Sequence, residues 1–172
     1  MWAQARMIRF LAMDVDGVLT DGRIVFDSQG HEWKNFHVHD GQGIALAHRA
    51  GLHIAWISGR ESAAVQQRAN ELQVVWVQQR VADKVQVLQT WLEQTGVPMT
   101  ATAYIGDDLG DLPLLRRVGL PIAVANALPE VRACAAWITH RAGGQGAVRE
   151  VIDGILRAQG RWTAAVEEYL RS

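Results

Sequence analysis

One cysteine cannot form a disulfide within its own chain, and this sequence of 172 residues has only Cys134. A disulfide-stapled secreted scaffold is thereby excluded, and a reducing compartment suits the composition. Cys134 lies in Ala133-Cys134-Ala135-Ala136, a setting for a buried structural thiol rather than a nucleophile. No apolar run approaches the roughly 18 residues that a membrane-spanning helix needs. The start, Met1-Trp2-Ala3-Gln4-Ala5-Arg6, lacks the charged-then-apolar order of a secretory signal. Nor is there a polybasic block: 17 Lys and Arg are dispersed among 18 Asp and Glu, for a formal charge of −1, which argues against a nucleic-acid surface. No repeat, low-complexity tract or interdomain linker interrupts the chain. These absences predict one soluble, cytoplasmic domain over residues 1–172, with neither nucleic acid nor membrane as a partner. What the chain does have is hydrophobic residues, 49% of the total, enough for a sizeable core.

Apolar runs alternate with helical patterns across short connections, which predicts an α/β fold with a doubly wound, mostly parallel sheet. Strands are expected at about 8–13, 53–57, 74–77, 102–105, 121–124 and 136–138. Helices are expected near 41–51, 61–72, 82–95, 110–117, 129–133 and 146–159, with a tail helix near 162–171. Gly96 reads as a helix C-cap, and Pro98 keeps that helix from resuming. The segment 23–38 differs: two partly alternating runs flank Asp27-Ser28-Gln29-Gly30, the pattern of a protruding β-hairpin after the first strand.

Polar residues fall where a doubly wound sheet binds ligands, beyond the carboxyl ends of its strands. The run ending at Met13 leads into Asp14-Val15-Asp16-Gly17, the run ending at Ile57 into Ser58-Gly59-Arg60, and the run ending at Ile105 into Gly106-Asp107-Asp108. Two neighbouring carboxylates repel by roughly 4 kcal/mol at about 4 Å in an effective dielectric near 20. Such a cluster persists when a cation sits among the oxygens, and Mg²⁺ is the hard ion of choice. Asp14 is therefore assigned as nucleophile and metal ligand. Asp16 is assigned as general acid and then base, its backbone carbonyl also reaching the metal. A plain Asp16-Gly17 turn is the alternative.

Asp107 supplies the second carboxylate ligand, unless the acidic run only favours a helix N-terminus. Asp108 is expected to support those ligands from behind, with the same alternative. Asp111, one turn on, either orients the ligands from behind or caps a helix. The Ser58 hydroxyl and the amides after it, Gly59 included, suit a phosphoryl oxygen, or else Ser58 is a helix N-cap. Lys84, set against the dipole in the first turn of a helix, is the cation expected to neutralise the phosphoryl group and Asp14. Arg60 either grips a substrate anion or forms a surface ion pair. His37 and His39 would share a face of the second hairpin strand; as a two-His metal site they are weak, and they read instead as hairpin surface or interface residues. Trp56, Trp76 and Trp137 read as core, whereas Trp33 and Trp162 read as interface anchors.

Together these residues resemble the haloacid dehalogenase-like phosphatases, whose four motifs fall in order on Asp14-x-Asp16-Gly17, Ser58-Gly59-Arg60, Lys84 and Gly106-Asp107-Asp108-x-x-Asp111. Within that superfamily the chain is most similar to the 3-deoxy-D-manno-octulosonate (KDO) 8-phosphate phosphatases. Asp14 to Gly22, Asp40-Gly41-Gln42-Gly43-Ile44 and Ala142 to Glu150 carry that similarity. The resemblance implies Mg²⁺-dependent hydrolysis of a phosphorylated sugar acid through an aspartyl-phosphate, in lipopolysaccharide precursor synthesis. It also implies a homotetramer without a cap domain, whose hairpins assemble and whose neighbouring chains cover the site. Gln42, and Arg149 in the Gly143–Arg149 stretch, are then expected near the sugar end of the substrate. Phe36-His37-Val38-His39 departs from the family, which usually carries asparagine and arginine in place of the histidines, so no anion contact is carried over there. Spacing agrees with a capless enzyme: between Asp14 and Ser58 there is room only for the hairpin and one helix. A phosphatase for a nine-carbon sugar acid 9-phosphate fits the same motifs, and a non-catalytic phosphate-binding module needs no Asp14–Asp16 pair.

Overall fold

Strands with apolar residues on both faces demand cover on both faces, and a parallel sheet between helical layers supplies it. The computed structural model, which describes residues 1–170, has that arrangement. In chain order, a short helix α1 (Trp2–Ala5) leads into β1 (Phe10–Met13), the hairpin strands β2 (Val25–Phe26) and β3 (Glu32–Trp33), and helix α2 (Val38–Arg49). Next come β4 (His53–Ile57), α3 (Ala63–Glu71), β5 (Trp76–Gln78) and α4 (Lys84–Thr95). The second half holds β6 (Thr102–Gly106), α5 (Leu112–Leu115), β7 (Leu120–Ala123) and α6 (Pro129–Cys134), then β8 (Trp137–Ile138), α7 (Ala147–Ala158) and α8 (Trp162–Leu170).

The main sheet runs β5-β4-β1-β6-β7-β8, with every neighbouring pair parallel. The chain winds outward from β1 through β4 to β5, then returns to the far side of β1 with β6. That reversal opens a crevice beyond the carboxyl ends of β1 and β6. Every residue of β1 and β6 is buried, and Trp56, Tyr104, Phe10 and Ile54 fill the core on either side. Val148, Val151, Ile152 and Ile155 form one buried stripe on α7, at the spacing that turns a single helical face inward. Helix α7 packs against α2, and the Asp40 carboxylate joins their first turns by accepting from the Arg149 N–H at 2.7 Å.

The expected elements occur, with differences that have local causes. Strand β5 begins at Trp76 rather than near 74, because Gln73 turns with φ +56 and Val75 stays in solvent. Helix α1 has no counterpart in the expected set, since four residues are too few to carry a helical period. The hairpin pairs only two residues per strand, and its turn is closed by the Asp27 carboxylate, which accepts from Gln29 and His31 N–H at 2.8 and 2.9 Å. His37 and His39 are not on its second strand: His37 is the N-cap of α2, and its Nδ1 accepts from the His39 N–H at 3.2 Å. Trp162 is not a bare anchor, since it packs at the core edge with the Arg157 guanidinium 4.1 Å from its ring centre. Cys134 is half-buried rather than buried. The tail helix is described to Leu170, and residue 171 lies outside the described residues.

The loop before α7 is pressed onto the loop after β1. Gly144 N–H donates to the Val18 carbonyl and Gly143 N–H to Asn126 Oδ1, both at 2.9 Å. A Cβ on Gly143 would stand 1.6 Å from the Gly17 carbonyl oxygen, backbone against backbone. Gly143→Ala should therefore cost about 1–3 kcal/mol of stability through overpacking, seen as a lower thermal unfolding midpoint; an unchanged midpoint would contradict the close approach.

Candidate active site

Strand register does most of the assembly. Met13 pairs with Ile105 across β1 and β6, so the residues that follow both strands leave the sheet side by side, and Asp14 N–H donates to the Ile105 carbonyl at 3.0 Å. Ser58, directly after β4, joins from the other flank of β1. A cleft of about 370 Å³ opens there, lined by Asp14, Asp16, Ser58, Lys84 and Asp107, with Gly59, Arg60, Asp108 and Asp111 completing its walls. A wider groove, about 610 Å³, lies between Arg6–Arg9 and Ala158–Arg161, and its lining holds no acid and no nucleophile.

Lys84 is the first residue of α4, whose N-cap Asp83 accepts from Val85 and Gln86 N–H at 2.9 and 3.1 Å. With the helix end capped by Asp83, the Lys84 ammonium turns inward to Asp14 Oδ2 at 2.9 Å and Asp111 Oδ1 at 2.8 Å. Asp111 is fully buried and has both oxygens engaged. Its Oδ1 also accepts from the Tyr104 hydroxyl at 2.7 Å, while its Oδ2 accepts from Asp107 and Asp108 N–H at 2.9 and 3.3 Å. Glycine is required at 106, where a Cβ would stand 2.6 Å from Asp111 Cβ. Asp111 thus performs both roles open to it in the sequence: it caps the turn after β6 and braces Lys84.

Oxygens of Asp14, Asp107 and Asp111 lie within 4.8 Å of one another, and Asp107 Oδ1 is buried with no hydrogen-bond partner among the described residues. An all-oxygen donor set with an unsatisfied buried acceptor fits a hard divalent cation. Charge confirms the need. Burial, then the Asp111 charge, raises the Asp14 pKa to about 6 against the pull of Lys84. Burial, Asp111 and Asp14 raise that of Asp107 to about 8. Burial works against the Lys84 charge, but Asp111 and Asp14 outweigh it and hold its pKa above the usual value.

Ser58 is buried, and its Oγ accepts from the Arg60 N–H at 3.1 Å. It is not a helix N-cap, since Ser62 holds that position for α3. Arg60 forms an ion pair at the cleft mouth, with Nη2 2.7 Å from Glu32. Asp108 is a cap, its Oδ1 accepting from Leu109 N–H at 2.6 Å. Gln42 and Arg149 are not brought to this cleft. Gln42 is exposed near the start of α2, and Arg149 is bound to Asp153 at 2.6 Å. Three contributors escape the sequence reading. Lys34 comes from the hairpin to bind Asp16, and Tyr104 reads as core alone. Thr20, also buried, accepts from Gly17 and Gly22 N–H at 3.4 and 3.3 Å and shapes the loop after β1. The signal for Lys34 lay in the charged residues at i and i+2, Glu32 and Lys34, in the hairpin segment.

Residues 74–152 match the haloacid dehalogenase-like hydrolase family. The KDO 8-phosphate phosphatase of Salmonella typhi is 43% identical over 158 residues, which is 92% of this chain and 84% of that protein. The KDO 8-phosphate phosphatase of Moraxella catarrhalis, solved in complex with a magnesium ion, a phosphate ion and KDO, matches with a TM-score of 0.95 at 41% identity. The match covers 98% of this chain and 97% of that one. The cobalt-bound form of the Haemophilus influenzae phosphatase matches with a TM-score of 0.92 at 37% identity, over 97% and 99% of the two chains.

Without metal, Asp14 and Asp107 keep protons that the unfolded chain has already lost. The folded state therefore binds more protons between about pH 4 and pH 8, and stability falls as pH rises through that window. A divalent ion on these oxygens must displace the remaining protons, so it binds better as pH rises. The Mg²⁺-induced increase in thermal midpoint should be larger near pH 8 than near pH 6; an increase that shrinks with pH would contradict the assignment.

Proposed function

The chain belongs to the haloacid dehalogenase-like hydrolases, among the KDO 8-phosphate phosphatases, and we propose that it hydrolyses KDO 8-phosphate to KDO and inorganic phosphate. The observation that carries this reading is the convergence of Asp14, Asp16, Ser58, Lys84 and Asp107 on one cleft at the carboxyl ends of the strands. The nine-carbon alternative has no observation of its own in its favour.

In this reading the phosphoryl group lies between Asp14 and Ser58. Ser58 Oγ and the Gly59 amide hold its oxygens, and Lys84 balances their charge together with that of Asp14. An Asp14 carboxylate oxygen attacks phosphorus, forming an aspartyl-phosphate as the bond to the sugar oxygen breaks. Asp16 gives that leaving oxygen its proton. Asp16 then takes a proton from water as the water oxygen attacks phosphorus, which frees the Asp14 carboxylate and releases phosphate. Asp14, Asp107 and the Asp16 backbone carbonyl would hold Mg²⁺, and the ion would draw charge off the phosphoryl oxygens. Asp111, with both oxygens already used, supports the site from behind.

The same reading places the enzyme in lipopolysaccharide precursor synthesis in the cytoplasm, as a homotetramer. An isolated hairpin is marginal in water, and this one exposes Phe26 at 59% and Trp33 at 64%. Pairing hairpins between subunits covers those residues and their open strand edges. It also sets neighbouring chains over a cleft that no lid covers among the described residues. Gln42 and Arg149, which do not line the cleft of their own chain, are in this reading candidates for the sugar end of a neighbour's.

A phosphate-release assay with Mg²⁺ over eight- and nine-carbon sugar acid phosphates tests the substrate, and KDO 8-phosphate should give the highest kcat/KM. A higher value for a nine-carbon 9-phosphate would reassign it. Asp14→Asn should abolish turnover, since phosphomonoester hydrolysis is among the slowest uncatalysed reactions. Asp16→Asn should lose about 10²–10⁴ in rate while keeping Mg²⁺ affinity close to that of the wild type. More than a tenth of the activity left in Asp14→Asn, or a large loss of Mg²⁺ affinity in Asp16→Asn, would overturn this division of roles.

A further inference from the structure

A lysine whose side chain is 1% exposed and which meets two carboxylates is not a solubilising surface residue. Lys34, one residue past β3, reaches from the hairpin to the loop after β1. Its Nζ donates to Asp16 Oδ1 and lies 3.5 Å from Glu32 Oε1. Glu32 accepts from Arg60 Nη2 at 2.7 Å, and Arg60 Nε stands 3.8 Å from Asp16 Oδ2. The four side chains close a ring of alternating charge in which each oxygen of Asp16 faces a cation. The cluster of Asp14, Asp107 and Asp111 does not include the Asp16 carboxylate.

We infer that Lys34 is a positioning residue for Asp16: its ammonium holds the carboxylate at the cleft mouth, turned away from the metal-binding acids and toward where the leaving oxygen stands. This rests on the reading of Asp16 as the proton donor to that oxygen. A general acid must lie within hydrogen-bond reach of its target, and a displacement of about 1 Å can cost about 10²-fold in rate. An aspartate beside a divalent ion is drawn toward it, and the ring of Lys34, Glu32 and Arg60 opposes that pull. Both Lys34 and Glu32 ride on the hairpin, whose two short strands have no sheet to lean on among the described residues. Whatever fixes the hairpin therefore also fixes the proton donor, which ties catalysis to assembly by a path within the chain.

The test compares Lys34→Met, Lys34→Arg and Asp16→Asn, each with Mg²⁺, on two phosphate esters. KDO 8-phosphate has an alkoxide leaving group that needs a proton; p-nitrophenyl phosphate has a nitrophenolate that departs without one. In rapid-mixing experiments on the first step, Lys34→Met should slow the sugar phosphate about ten- to a hundredfold and the nitrophenolate burst by less than about threefold. KM for the sugar phosphate should hold, and Lys34→Arg should regain most of the rate. Equal losses on both esters, a rise in KM alone, or no loss at all would overturn the inference. Asp16→Asn separates it from the reading beneath. If Asp16→Asn shows the leaving-group dependence and Lys34→Met does not, the inference fails and the reading stands. If Asp16→Asn lacks that dependence, the reading of Asp16 fails and takes the inference with it.

Discussion

The ammonium of Lys84, set between Asp14 and Asp111, is the contact on which the cleft depends. Without it, three carboxylates would share one pocket at the carboxyl ends of β1 and β6. With it, one positive charge answers three acidic groups, and burial, added to the charge of Asp111, still raises the pKa values of Asp14 and Asp107. A cation at the first turn of a helix works against the helix dipole, and two carboxylates at hydrogen-bond distance offset that cost. The remaining imbalance, with Asp107 Oδ1 left unpartnered among the described residues, is what a divalent ion would satisfy. Stability and function thus pull in opposite directions at one place, as they commonly do where strain and charge are stored for chemistry.

The surrounding chain exists to hold those groups still. Parallel register puts the ends of β1 and β6 side by side, and the buried strands cannot slip without exposing their core residues. The loop after β1 is then fixed from several directions. Thr20 gathers the Gly17 and Gly22 amides, Gly143 and Gly144 press against its backbone, and Lys34 holds its Asp16 carboxylate. These pieces come from distant parts of the sequence. Asp40 joins two of them, since it links α2, which follows the hairpin, to α7, which follows the Gly143 loop.

Most of the sheet was legible because its strands are short apolar runs that end in polar motifs. Six such runs could be placed within a few residues, and Asp14, Ser58 and Asp107 fell at strand ends, where a doubly wound sheet binds ligands. Lys84 was legible for the opposite reason, as a residue badly placed for stability alone. What escaped was tertiary. Nothing local distinguishes Tyr104 from a core aromatic, because its role depends on Asp111 reaching its hydroxyl. Lys34 looked like one more charge on a hairpin until the fold brought it to Asp16. His37 and His39 alternate as strand residues do, yet the helix start took them, because a side-chain cap at His37 satisfies an N–H that a strand would have paired elsewhere. Arg149 sits in a stretch similar to that of the phosphatases, but Asp153 one turn on binds its guanidinium.

Seen from the cleft, Asp14 has one oxygen on Lys84 and the other accepting from Val15 N–H at 2.7 Å, so its carboxylate is held by fixed donors before any substrate arrives. In the proposed mechanism this carboxylate, and not a water molecule, takes the phosphoryl group. Mass analysis of acid-quenched Asp16→Asn after mixing with p-nitrophenyl phosphate and Mg²⁺ tests this most directly, since nitrophenolate departs without a proton from residue 16 while the variant lacks the proposed base for hydrolysing the intermediate. One added phosphoryl group is expected, located on Asp14 and absent when Asp14 is also replaced by asparagine. Phosphate release under the same conditions with no adduct at any time point, or an adduct on another residue, would contradict it.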